Sequence, residues 1–571
     1  MKKEMKCRFL LFFNLVVVLS TSNFQDTPTS WFDRSYASSL PCYEDFPNGP
    51  NGDKLPSRLP SRFTSFSEVE HIIDDAILQQ HERLFIESNW ILDGHFGVER
   101  ARIALERKSK DTIQEENKIA LPFVQRVLLP KGSIVAVFGD LHGSYHSFIR
   151  SLNSLVEQGY LDNNLKVKVS NFFMLFLGDY VDRGLYGLET LCALLELRLT
   201  NLDRVFLARG NHEDRLMNDG PSGGFLDELR SKFPDEPYHR IEKVFDVYDS
   251  LPSAIFLGVS DEKSQNNQKK YHPVLLCCHG GLEVGFEALP LVHAEVRSSD
   301  ALPSGAISHF ALIHGLYRGQ WLESLPEHLF KKVKHGISSP ERIFKNMGAC
   351  PARESLDGLE GLGSIKNPFN WESNEWPLQP TDVHPHLGFM WADFLVGDER
   401  ILGQSEWNVG KAAALGKAVV NQHGRGLAFG RELTEHWLQS SGIVGVLRAH
   451  QHNDAAETGP MLRSLKLSTS PGIFDNFNAS HNVITFLSGA FIPGQGFQFD
   501  AYGLLRLVND DTSSWSLEAC ASSRIDSPFC STSGGEFKCK MTDWTVNDAV
   551  KKRNKFSEQL LCSRKDNHGE L

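Results

Sequence analysis

The stretch Phe172-Phe173-Met174-Leu175-Phe176-Leu177-Gly178-Asp179-Tyr180-Val181-Asp182-Arg183-Gly184 decides how this chain is read. Phe172 to Leu177 is an unbroken apolar run, the pattern of a strand covered on both faces of a mainly parallel sheet. The chain then switches to glycine, carboxylates and arginine, which carry chemistry rather than packing. The design recurs: Ile134 to Phe138 leads into Gly139-Asp140-Leu141-His142-Gly143, and Val205 to Leu207 leads towards Arg209-Gly210-Asn211-His212-Glu213. Farther on, Val274 to Cys278 delivers His279-Gly280-Gly281, and Ile443 to Leu447 delivers Arg448-Ala449-His450.

Helical spacing follows two of the runs: Phe148, Leu152 and Leu155 after the first, and Leu188, Leu191, Leu194 and Leu195 after the second. Strand, polar turn and helix in succession predict an α/β fold. In open α/β sheets the ligand crevice lies beyond the carboxyl ends of the strands, where Asp140, His142, Asp179 and Asn211 fall. Two carboxylates, one amide oxygen and three imidazoles form a mixed set without thiolate. It suits manganese, iron or zinc rather than calcium or an iron–sulfur cluster. Two such ions roughly 3.5–4 Å apart clamp the attacking and leaving oxygens of an in-line displacement and lower the pKa of a shared water. So short a separation needs a shared carboxylate, assigned to Asp179.

These blocks, in this order, resemble the phosphoprotein phosphatase family of serine/threonine phosphatases, within the calcineurin-like metallophosphoesterases. The resemblance runs from about Val127 to Arg506 and includes Gly224-Phe225-Leu226-Asp227-Glu228, Ser250-Leu251-Pro252, Met390-Trp391-Ala392-Asp393 and Gly424-Arg425-Gly426-Leu427-Ala428-Phe429-Gly430. It implies an α/β/β/α sandwich, a central mixed β-sandwich flanked by helices, with N-terminal helical and C-terminal extensions. It also implies that Asp140, His142 and Asp179 hold one metal and Asp179, Asn211, His279 and His450 the other, with manganese expected first and iron or zinc as alternatives. His212 is then the general acid, with Asp182 on its other ring nitrogen; a carboxylate there fixes an imidazole's tautomer and favours its protonated form. Arg183 and Arg425 grip phosphoryl oxygens, since a planar guanidinium matches two at once. The chain departs from the family at Ser488-Gly489-Ala490-Phe491-Ile492-Pro493-Gly494, where the active-site tyrosine has no counterpart. Tyrosine-phosphate activity beside serine/threonine activity is therefore part of the expectation.

Blander readings stand beside these. An isolated histidine after an apolar run is usually a surface or hydrogen-bonded core residue, and only the ordered set reverses that reading. Asp393 fits either a partner for a ligand histidine or a cap. Cys192 and Arg198 have the Cys-x5-Arg spacing of cysteine-dependent phosphatases, but Ala193-Leu194-Leu195-Glu196-Leu197 between them is a bulky helix without the glycines of a phosphate cradle. Cys192 is read as core packing.

At 571 residues with 41% hydrophobic content, the chain is large enough for a big core plus smaller additions. A formal charge of −12 argues against non-specific nucleic-acid binding, which needs a basic face. Residues 1–22, with Lys2, Lys3, Lys6 and Arg8 before an apolar stretch, read as a signal peptide. Export to a secreted, periplasmic or lumenal location is expected, with no stable membrane insertion once the signal is removed; an uncleaved anchor is the alternative. Residues 23–65 read as a linker, 66–125 as a helical extension with Val69, Ile72, Ile73, Ala76 and Ile77 on one face, and 126–508 as the catalytic domain. Within that domain, about 285–388 reads as an insertion, and 509–571 as a cysteine-containing tail in which Cys520, Cys530, Cys539 and Cys562 are disulfide candidates.

The leading expectation is a phosphoprotein phosphatase that hydrolyses phosphorylated protein by direct attack of a dinuclear-metal-bound hydroxide. The alternatives are a dinucleoside polyphosphate hydrolase of the same fold and a non-catalytic binding member.

Overall fold

The computed structural model describes residues 40–41, 59–85, 90–91, 122–218, 224–260, 274–283, 286, 288–294, 301–313, 387–394, 418–420, 427–429, 434–435, 437–438, 441–451, 473–475, 483–489, 499–507, 515–522 and 536–545. The signal-peptide stretch and Arg425 lie outside the described residues.

Two mixed sheets form the centre. One has six strands, in the order β16 (Phe537–Thr545), β15 (Trp515–Ser522), β14 (Ala501–Leu507), β2 (Ile134–Phe138), β3 (Phe172–Phe176) and β4 (Val205–Leu207). The other has seven: β12 (Ile473–Asp475), β13 (Val483–Phe486), β11 (Ile443–Arg448), β6 (Val274–Cys277), β5 (Ala254–Val259), β1 (Phe123–Leu129) and β7 (Ile307–Leu312). A small third sheet joins β8 (Asp393–Phe394), β9 (Ala418–Val420) and β10 (Leu427–Phe429).

Side chains on a strand alternate between faces, so each run of the six-stranded sheet feeds two cores. Val135, Val137, Phe173 and Leu175 meet Val127, Ile255, Leu257, Leu275 and Leu447 between the sheets. Ala136, Phe138, Phe172, Met174 and Phe176 point the other way, into helices α2 (Tyr145–Glu157) and α3 (Gly187–Thr200). The unbroken apolar runs are the direct result of this double burial. Strands β2, β3 and β4 run parallel, as do β6, β11 and β13. Their carboxyl ends therefore present several polar loops together.

The sandwich extends beyond the expected boundary at 508. In β15, Trp515, Leu517 and Ala519 enter the inter-sheet core while Cys520 faces the helices, so the first strands of the tail complete the sheet. A disulfide joins Cys520 to its register partner Cys539 on β16, whereas Cys192, Cys277 and Cys278 are buried and free. Part of the segment read as an insertion is also sheet: β7 pairs antiparallel with β1. Beside that pairing the buried Arg126 donates to the carbonyls of Leu291 and Ala294 at 2.8 and 2.9 Å. Most of the remaining segment, including Trp321, Trp371 and Trp376, lies outside the described residues.

Ahead of the sandwich, helix α1 (Phe66–Phe85) buries Phe66, Val69 and Ile73 against the core that holds α3. Arg240 reaches Glu70 at 2.5 Å and Lys243 reaches Asp74 at 2.7 Å, anchoring the exposed side of the helix. Just before it, Arg62 makes a two-pronged bond to Glu196 on α3, each arm 2.9 Å. No helix among the described residues is long and apolar enough to cross a membrane.

A buried charge cluster ties this region to the loop after Arg183. On helix α5 (Phe225–Lys232), which follows the short helix α4 (Arg215–Asn218), Lys232 donates to the Leu185 carbonyl at 2.9 Å, to Glu228 at 2.6 Å and to Glu189. Glu228 accepts the backbone N–H groups of Gly187 and Leu188 at 3.0 and 2.9 Å. Burial, with Glu189 beside it, pushes the Glu228 carboxyl up to about 7 even though Lys232 pulls it down. One ammonium thus serves two enclosed acids. Removing a partner from a buried ion pair costs about 3–5 kcal/mol, so Lys232→Ala is expected to lower the unfolding free energy by that amount in urea titration; a loss below about 1 kcal/mol would show the cluster to be dispensable.

Candidate metal centre

The loops leaving β2, β3, β4, β6 and β11 carry Asp140 and His142, Asp179 and Asp182, Asn211 and His212, His279, and His450. All eight side chains are buried. Among the described residues two groups are close enough to hold a cation, His142 with Asp179 and His212, and Asp179 with His279 and His450; within each group the offered atoms lie within 4.8 Å of one another. Asp179 belongs to both.

Its two oxygens are used differently. Oδ1 accepts the His212 backbone N–H at 2.9 Å. Oδ2 faces His279 Nε2 at 3.1 Å, His142 Nε2 at 3.3 Å and His212 Nε2 at 4.0 Å. The other ring nitrogens of His279 and His142 donate to the carbonyls of Leu177 (3.1 Å) and Val181 (2.9 Å). In a neutral ring so oriented, the nitrogen turned to Asp179 presents a lone pair, and lone pairs crowded on a carboxylate oxygen repel unless a positive charge lies between them. Asp179 Oδ2, Asn211 Oδ1 and His279 Nε2 are buried without a hydrogen-bond partner among the described residues. Buried polar atoms are normally satisfied, so this donor set fits divalent cations.

The electrostatics differ from residue to residue. Burial, with Arg183 next, holds the His142 imidazole well below its ordinary value, leaving the ring neutral and able to ligate. Asp179 raises His279 against the effect of burial, and the neighbouring imidazoles, His279 first, hold Asp179 well below the usual carboxylate range although burial opposes it. Asp140 is pushed to about 6, chiefly by burial. Asp140 stands 3.7 Å from His279 Nδ1 and accepts the His450 backbone N–H at 3.1 Å, which joins the β2 loop to the β11 loop.

Holding these groups together strains the backbone. His142, Asp179, Asp182, Arg183 and His450 have φ of 42, 56, 66, 66 and 69°, and among described non-glycine residues only Leu165 joins them in the left-handed region. Gly178, at φ 101°, lets the β3 and β4 loops touch: a Cβ there would lie 2.4 Å from the Gly210 nitrogen. Glu213 fastens the same two loops, accepting the N–H groups of Asp179, Tyr180 and Gly210 at 2.7, 2.8 and 2.9 Å. Burial, with Asp179 next, pushes Glu213 up to about 7. In the sequence Glu213 stood out only as the end of the block after β4, and its position three residues after Gly210 was the available signal.

Beside the cluster, His212 Nδ1 donates to Asp182 Oδ2 at 2.6 Å, and Arg183 Nη2 is 3.3 Å from His212 Nε2. Asp393, at the start of β8, stands 3.5 Å from His450 Nε2 and 3.7 Å from Arg448, so of its two readings the histidine partner matches its place.

A β-sandwich whose strand ends gather buried histidines and aspartates around a shared carboxylate defines a metal-dependent hydrolase. Residues 134–454 match the model of the calcineurin-like phosphoesterase family, and the chain belongs to that family. Among solved structures, it is similar to a protein serine/threonine phosphatase from Saccharomyces cerevisiae, itself described as similar to human phosphatase PP5. The identity is 16% over 80% of this chain and 90% of that chain, with a TM-score of 0.39. It is also similar to a cold-active protein-tyrosine phosphatase of a Shewanella species, at 14% identity over 72% of this chain and 84% of that chain, with a TM-score of 0.31.

Asp179→Asn is expected to lose bound metal, measured by elemental analysis of the purified protein; full occupancy would remove Asp179 from the shared position. Gly178→Ala is expected to destabilise by more than about 1 kcal/mol in denaturant unfolding, because alanine tolerates neither the dihedral nor the contact.

Proposed function

We propose that the chain is a protein serine/threonine phosphatase in which Asp140, His142 and Asp179 hold one divalent cation and Asp179, Asn211, His279 and His450 a second. The observation that carries this reading is the 2.6 Å His212–Asp182 pair beside the shared Asp179, with Arg183 flanking the ring. When bound, such cations lower the pKa of water and neutralise charge on phosphoryl oxygens. The remaining work belongs to the side chains.

Asp182 fixes the proton on His212 Nδ1, so that Nε2 is the nitrogen aimed at the leaving seryl or threonyl oxygen. Proximity alone also admits His212 as a ligand. The guanidinium 3.3 Å from its Nε2 can only donate, so that nitrogen accepts there, and the acid role has it carry a proton once Arg183 turns to the phosphoryl oxygens. In this reading a phosphoryl group entering between Arg183 and the ring draws the guanidinium onto its own oxygens and leaves His212 to protonate the ester oxygen. Arg425, outside the described residues, is proposed as the second phosphoryl grip. The substrate is phosphorylated protein, with manganese the first metal to test and iron or zinc the alternatives. Export is part of the same proposal, supported by the Cys520–Cys539 disulfide, a bond that persists in oxidising compartments.

With added manganese, phosphate release from a phosphoserine peptide is expected to exceed hydrolysis of diadenosine tetraphosphate; the reverse order would point to the dinucleoside polyphosphate reading. His212→Asn is expected to retain metal while turnover on the peptide falls about 10²–10⁴-fold. Unchanged turnover would remove His212 from the acid role.

A further inference from the structure

The Asp182–His212 pair is held by a residue that the proposed mechanism does not use. Asn218, the last residue of α4, is only 1% exposed. Its Nδ2 donates to Asp182 Oδ2 at 2.7 Å and to the His212 carbonyl at 2.9 Å, gripping both members of the pair at once. Its Oδ1 accepts the Tyr248 hydroxyl at 2.8 Å. Both amide protons and the amide oxygen thus have partners of the right kind, and a flipped amide would set oxygen against a carboxylate and a carbonyl.

Asp182 itself is fixed on both oxygens. Oδ1 accepts the Phe225 N–H at 2.5 Å, at the first residue of α5, while Oδ2 receives His212 and Asn218. Its backbone sits at φ 66°, so the side chain's direction is not secured by an ordinary strand or helix. Deleting the Asn218 amide leaves Oδ2 with His212 among these bonds while Oδ1 keeps Phe225, so the carboxylate can turn about Cβ–Cγ on that one remaining tether and carry the imidazole out of line.

We infer that Asn218, oriented by Tyr248, is a positioning residue for proton delivery by His212: it sets the angle of the acid rather than touching substrate or metal. This inference rests on the reading of His212 as the acid. It predicts a defect that grows with the leaving group's need for a proton, since a well-stabilised phenolate departs without one and a poorer one does not.

The test uses the full chain loaded with manganese and two substrates, phenyl phosphate and p-nitrophenyl phosphate. Asn218→Leu, which keeps volume and removes the amide, is expected to lower kcat about 10–100-fold on phenyl phosphate and only a few-fold on p-nitrophenyl phosphate, the range typical of residues that orient a functional group. KM and metal content are expected to stay at wild-type values. Tyr248→Phe, which removes a single hydroxyl and is the safer variant for folding, is expected to shift the ratio of the two rates the same way by less. Equal losses on both substrates, or lost metal, would reduce Asn218 to a general structural role and overturn the proposal. His212→Asn serves as the control: if it leaves the ratio unchanged, the acid assignment itself falls. Positioning is then read from the downfield proton resonance of the Asp182–His212 bond, which Asn218→Leu is expected to move and which an unmoved signal would refute.

Discussion

Three imidazoles converge on one buried oxygen, Asp179 Oδ2, and most of the surrounding architecture serves that convergence. The oxygen cannot turn away, because its twin is held by the His212 N–H and the Asp179 N–H is held by Glu213. The histidines cannot turn away either, since His142 and His279 each donate their second nitrogen to a backbone carbonyl. Such crowding is unfavourable in an empty pocket and favourable around positive charge, so the protein stores in its loops a demand that divalent cations meet.

The left-handed dihedrals at His142, Asp179, Asp182, Arg183 and His450 are the cost of bringing chain ends from two sheets to one point. Non-glycine residues stay in that region only where surroundings over-determine them. Here the surroundings are backbone contact at Gly178 and Gly210, the three N–H groups gathered by Glu213, and the bond from His450 to Asp140 that couples the sheets. The parts of the site hold one another in place through these contacts.

A second layer supports the loop that carries Asp182 and Arg183. Lys232 binds the Leu185 carbonyl, Glu228 takes the next N–H groups at Gly187 and Leu188, and Glu189 accepts Ser61 from the segment ahead of α1. Tyr186 reaches farther, donating to the Pro41 carbonyl at 2.5 Å. The N-terminal region is thereby part of the scaffold behind the Asp182–His212 pair.

Much of this was readable in the order of residues. Apolar runs covered on both faces look alike in any chain, so β2, β3 and β4 and the polar loops after them were plain, and Cys192 was correctly placed in a helix core. The boundary at 508 was less so, because β15 alternates Trp515, Ser516, Leu517 and Glu518 after a polar stretch, and a two-residue period in a tail does not say which sheet it joins. Local pattern announces which residues can do chemistry, since composition and spacing are properties of the chain. Which nitrogen of a histidine faces which oxygen, and that Asn218 and Tyr248 from different elements hold Asp182 in place, depends on atoms brought together across many residues of chain. Those distances exist only after packing has chosen them.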